Sequence, residues 1–117
     1  MKIELYLPIK TVSEANCSQH WAIKSKRHQQ QKQLVSLLLS KHKFSPPCTF
    51  TLTRLAPKLL DKHDNLPMSM KYIVDALAEL ATGNYTPGQA DSDDRIVIEY
   101  GQEVSKRYGI KLCIEME

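Results

Sequence analysis

Five of the six aspartates of this 117-residue chain stand in two tight groups, Asp61 with Asp64 and Asp91 with Asp93 and Asp94. Carboxylates brought together repel one another unless a cation lies between them, and hard oxygen donors select Mg²⁺, with Mn²⁺ as a substitute. Lys71 follows Asp64 by seven residues, two helical turns, so on a helix the two project from nearly the same face. An ammonium beside metal-binding carboxylates is what phosphoryl chemistry needs to offset charge developing on phosphorus. Spacing alone also permits plainer roles: Asp64 as a helix cap, the DSDD run as a solvated turn, and Lys71 as a surface lysine paired with Asp75.

The other half of the chain carries the opposite charge. Residues 1–60 have a net charge of +8 and residues 61–117 a net charge of −5, and no acid occurs between Glu14 and Asp61, an interval with eight Lys and Arg. Lys24, Lys26, Arg27, His28 and Lys32 crowd a short stretch with Trp21 at its entrance. Such a patch neutralises phosphates irrespective of base sequence, and an aromatic there can stack on exposed bases. The plainer reading is a solvated helix face, with Trp21 in the core.

Much else is excluded. The length fits one domain over residues 1–117 rather than a multi-domain enzyme. Cys17, Cys48 and Cys113 are odd in number and widely spaced, so neither a disulfide framework nor a zinc ribbon is indicated, and a reducing cytoplasm is expected. No apolar run approaches a membrane span, and there is no P-loop, GxGxxG or GxSxG. Cys17 and His20 have no second pair at zinc-ligand spacing.

The elements that must position these residues are legible from periodicity. Ile3, Leu5 and Leu7 alternate as a strand. One long helix is expected from about Gln19 to Lys43, with Leu34, Val35, Leu38 and Leu39 on the core and the Trp21 end leaving the body or covering something, stopped by Pro46 and Pro47. Cys48, Phe50 and Leu52 alternate with threonines as a second strand. Leu66, Met70, Ile73, Leu77 and Leu80 form the clearest helical stripe, with Asp64 or Asn65 at its N-cap, Pro67 in its first turn and Gly83 at its stop. Two strands follow, around Ile96–Tyr100 and Ile110–Met116, joined by a turn at Lys106–Gly109. The order β-α-β-α-β-β predicts an α+β domain with a four-stranded mixed or antiparallel sheet and both helices on one face. Both aspartate groups stand at the mouth of an element. If the second helix packs beside the third strand, its N-terminus and the start of that strand can meet, and up to five carboxylates converge.

The segments HDNL (63–66) with Lys71 and Asp75, DDRIVIEY (93–100), TVSEAN (11–16) and HWAIKSKR (20–27) resemble, in order, those of RusA-type Holliday-junction resolvases, small phage and prophage endonucleases. The resemblance implies a homodimer that binds a four-way DNA junction and cuts two strands with Mg²⁺. Asp64 and Lys71 match the family's DNL aspartate and helix lysine, and the paired aspartates before the third strand match Asp94 and Asp91, with Asp93 the alternative. The family usually has another aspartate where this chain has Lys62, a position Asp61 would have to replace. The expected site is therefore Asp61, Asp64, Asp91 and Asp94 on the metal, Lys71 at the transition state, and Trp21, Lys24, Lys26, Arg27 and Lys32 on DNA. Two other readings remain: a DNA-binding relative that has lost its metal site, and a small interaction domain that uses the first helix.

Overall fold

The computed structural model describes residues 1–11, 21–60, 65–83 and 93–116. Six elements follow in the expected order: β1 (Lys2–Leu7), α1 (Trp21–Leu39), β2 (Cys48–Ala56), α2 (Asn65–Thr82), β3 (Ile96–Val104) and β4 (Gly109–Met116). Period-two alternation makes the strands: along β2 the side chains of Cys48, Phe50, Leu52, Arg54 and Ala56 are buried, while Thr49, Thr51 and Thr53 between them are half-buried.

The sheet order is β1-β4-β2-β3. β4 is antiparallel to both β1 and β2, whereas β2 and β3 are parallel, so the sheet is mixed, not antiparallel. Register aligns one face: Ile3 lies opposite Ile114 and that opposite Phe50, while Leu5, Leu112 and Leu52 form the next row. This face buries Leu66, Met70, Ile73 and Leu77 of α2 and Val35 and Leu39 of α1 in one hydrophobic cluster. Complete burial of such side chains stabilises by about 1.5–3 kcal/mol each relative to exposure. Both helices thus cover one face, and the other, with Glu4, Tyr6, Thr51, Thr53, Lys111 and Cys113, carries no helix among the described residues.

The helix boundaries have local causes. α1 ends at Leu39, short of the expected Lys43, because the Ser40 hydroxyl donates to the Leu37 carbonyl (2.9 Å) and the His42 amide to that of Leu39 (3.0 Å), closing a turn. Its expected start at Gln19 lies outside the described residues. α2 stops where Gly83 takes φ +72° and its amide bonds the Glu79 carbonyl at 2.9 Å, a left-handed exit that glycine makes without steric cost.

Strand direction decides what lies near what. Since β1 and β2 both oppose β4, and β3 parallels β2, the first three strands point one way. A helix joining two parallel strands must run back along them. α1 runs beside α2 in the same sense, with the His28 ring stacked on Tyr72 at 3.4 Å between centroids and Lys32 bonded to Glu79 at 3.2 Å. The carboxyl ends of β1, β2 and β3 and the amino ends of both helices therefore share one end of the molecule.

Candidate nucleic-acid interface

At this carboxyl end each strand runs out into cations. Lys10 follows β1, Arg54 and Lys58 stand at the close of β2, and Lys106 and Arg107 form the link from β3 to β4. The first turns of α1 bring Trp21, Lys24, Lys26 and Arg27 to the same end. Trp21 is 74% exposed, so the core role is excluded for it. Lys26 is exposed, and Lys24 and Arg27 are half-buried. Glu103, the described acid at this end, is held by Lys111 at 3.1 Å. Sequence reading singled out only the α1 cluster. The signal for the others was the position just past a strand, but Lys106 and Arg107 sit in the acidic half of the chain and read simply as a turn.

Local packing holds these cations in place. Tyr6 donates its hydroxyl to the Tyr108 carbonyl (3.0 Å), and Lys10 Nζ stands 4.8 Å from the centre of the Tyr108 ring. The Tyr6 ring lies so close over Gly109 that a Cβ there would sit 2.5 Å from it, which leaves room for glycine alone without a shift. Arg54 is buried, donating Nε–H to Thr11 Oγ1 (2.8 Å) and Nη1–H to the Lys58 carbonyl (2.7 Å). The Gln102 side chain both donates to the Leu60 carbonyl and accepts from the Leu60 amide, each at 2.9 Å. The β2–α2 connection is thereby tied to the ends of β2 and β3, just before the Asp61–Asp64 group. Lys32, expected on phosphate, lies farther along α1 and ties that helix to Glu79 on α2.

The acidic residues are arranged differently. Asp61, Asp64 and Asp91, together with Lys62, His63, Cys17 and His20, lie outside the described residues. Asp93 and Asp94 stand immediately before β3, at the opposite end of the molecule from Asn65, where α2 begins. The 18 residues of α2 separate these ends by about 27 Å at 1.5 Å per residue. The convergence expected at the N-terminus of α2 is thus corrected for the described Asp93 and Asp94. α2 does pack beside β3, but antiparallel to it, so its start meets the strand's finish. Among the described residues no three His, Cys, Asp or Glu gather as a metal-binding group.

Asp93 and Asp94 are also unlike each other. Asp93 accepts from the Arg95 amide (3.0 Å), Nε–H (3.0 Å) and Nη2–H (2.7 Å). The side-chain hydrogen bond from Arg95, then the backbone one, hold the Asp93 carboxyl down to about 2. Its oxygens are engaged in starting β3. Asp94 is exposed and makes no hydrogen bond or ion pair among the described residues, so of the two it has its oxygens open to a ligand. Lys71 is exposed on a shallow groove between α2 and β3, with Pro67, Met68, Ile98 and Tyr100 alongside and its Nζ 5.9 Å from the Tyr72 ring centre.

These features define an α+β protein with a mixed four-stranded sheet, cations at the carboxyl ends of its strands and carboxylates at the start of β3. Comparison with models of known protein families and with curated protein sequences finds no match for the chain. No helix among the described residues is long and apolar enough to cross a membrane.

Proposed function

We propose that this chain is a Mg²⁺-dependent, structure-selective DNA endonuclease that acts on four-way junctions as a homodimer. The observation that carries the DNA part is the carboxyl end, where Lys10, Lys24, Lys26, Arg27, Lys58, Lys106 and Arg107 come from four separate segments to one surface beside the exposed Trp21. The cutting part rests on the aspartate groups and on the ordered resemblance of HDNL, Lys71 and DDRIVIEY to RusA-type resolvases. A Mg²⁺ ion supplies a water of lowered pKa and offsets charge on the phosphate. Within one chain Asn65 and Asp94 stand at opposite ends. A shared ion requires the Asp94 end of one copy to meet the α2 start of a second, and that is the role the homodimer takes here. Asp61, Asp64, Asp91 and Asp94 remain the proposed ligands, with Lys71 facing the phosphate.

The same division of the carboxylates favours one competing reading, a junction-binding protein that does not cut. A synthetic four-way junction and its linear arms, each with Mg²⁺ and with chelator, separate the two. The endonuclease cuts the junction alone, needs the metal, and loses cutting by about 10²–10³-fold in Asp64→Asn and in Asp94→Asn, the order expected for removing transition-state charge stabilisation. Mixing those two inactive variants restores nicking, because the mixed dimer keeps one intact pair. Binding without nicking at any Mg²⁺ or Mn²⁺ concentration establishes the competing reading.

A further inference from the structure

Arg54 is a cation set into the protein interior with only neutral partners. Its side chain is 6% exposed, the Nε–H is given to a threonine hydroxyl and an Nη1–H to a backbone carbonyl, and no carboxylate among the described residues pairs with it. A buried charge without a counter-charge is costly, and burial accordingly pushes the Arg54 guanidinium below its ordinary range, with Tyr108 opposing that shift. A guanidinium is a fork with five donors, and Nη2 of Arg54 has no partner among the described residues. Nη2 is not wholly sealed from solvent, so this unpaired end of the guanidinium reaches the molecular surface.

The surroundings select the ligand. Lys58 provides the carbonyl that fixes Nη1, and Lys10 stands over the Tyr108 ring that neighbours Arg54. An anchored fork whose remaining edge opens among further cations suits a phosphate, which accepts two parallel N–H bonds and carries charge for the neighbouring lysines.

We propose that Arg54 receives one backbone phosphate of a nucleic-acid strand on the open edge of its guanidinium, with Lys10 and Lys58 flanking it. The proposal rests on the DNA-binding part of the reading above and is independent of cutting. It adds a contact that originates inside the sheet rather than on α1. Because the fork is held at both Thr11 and the Lys58 carbonyl, it meets the strand with little ordering left to do.

The test uses the whole ¹⁵N-labelled protein, following the Arg54 Nε–H resonance as a four-way junction, inorganic phosphate or sodium chloride is added at matched ionic strength. A saturable shift with junction and with phosphate, but not with chloride, is expected. Arg54→Lys, which keeps the charge and loses the fork, weakens junction binding about tenfold with the salt slope unchanged, and Arg54→Met also lowers the slope by about one unit. Lys10→Gln, a change at an exposed residue, lowers the slope likewise and covers the case of an Arg54 variant that does not fold. Junction binding that moves backbone amides of α1 but leaves the Arg54 resonance in place overturns this inference and leaves the DNA reading standing. Absence of junction binding at low salt overturns the DNA reading, and the assignment of a nucleic-acid phosphate falls with it.

Discussion

The two ends of the sheet are built from the same kinds of residue and hold them differently. At the carboxyl end, cations are spread over several segments, and Lys10, Lys26, Lys58, Lys106 and Arg107 are exposed with no ion pair to a carboxylate among the described residues. At the amino end, charge is compensated locally: Asp93 is bonded through three nitrogens of Arg95, two positions along the chain. The first arrangement leaves a field that extends into solvent and attracts a polyanion, and the second spends its charge on starting a strand. The contrast also isolates Asp94, whose neighbour is occupied while its own oxygens are not.

The largest expected difference between the two ends lies at Trp21. If the exposed indole stacks on a base, Trp21→Ala weakens junction binding by about 1–3 kcal/mol, measurable by fluorescence titration, with thermal stability unchanged because the ring is outside the core. A loss of stability with unchanged affinity would instead make Trp21 a packing residue. Next in size is the hairpin. Lys106→Gln with Arg107→Gln lowers the slope of log affinity against log salt by about two units, while Arg95→Gln at the amino end leaves it unchanged. Equal slopes for the two variants would show that the ends do not differ in the way described.

The smallest effect is on pH. The Asp93 carboxyl is held down to about 2 against an ordinary 3.8, so it is ionised in the folded protein where the unfolded chain is already taking up a proton. The sign follows: its contribution to stability is present above about pH 4 and is lost as pH falls through the folded value near 2. A carboxyl ¹³C titration reads this directly. In Arg95→Gln the Asp93 midpoint returns towards its ordinary value, and one that stays near 2 would show that Arg95 is not the cause.

Much of this architecture was legible in the chain. The α2 stripe, the alternation in β2 and the exit at Gly83 depend on neighbours in sequence, and each formed where periodicity placed it. The basic cluster on α1 was legible for the same reason. The carboxyl-end surface was not, since Lys10, Arg54, Lys58, Lys106 and Arg107 are far apart along the chain and meet only because three strands end together. The meeting of the α2 start with Asp93 and Asp94 failed on a matter of direction: whether α2 starts beside the beginning or the end of β3 depends on β2 and β3 being parallel, and hydrophobic periodicity is the same read in either direction.

Residue types and their spacing were sufficient to state the element order, the buried stripes and a chain divided into a cationic and an acidic half, because those follow from local sterics and from which side chains leave water. Strand pairing then redistributed that charge. It drew Lys106 and Arg107 out of the acidic half to join α1, and it set Asp94 a helix length from Asn65, because a crossover between parallel strands must return to the end from which the first strand began.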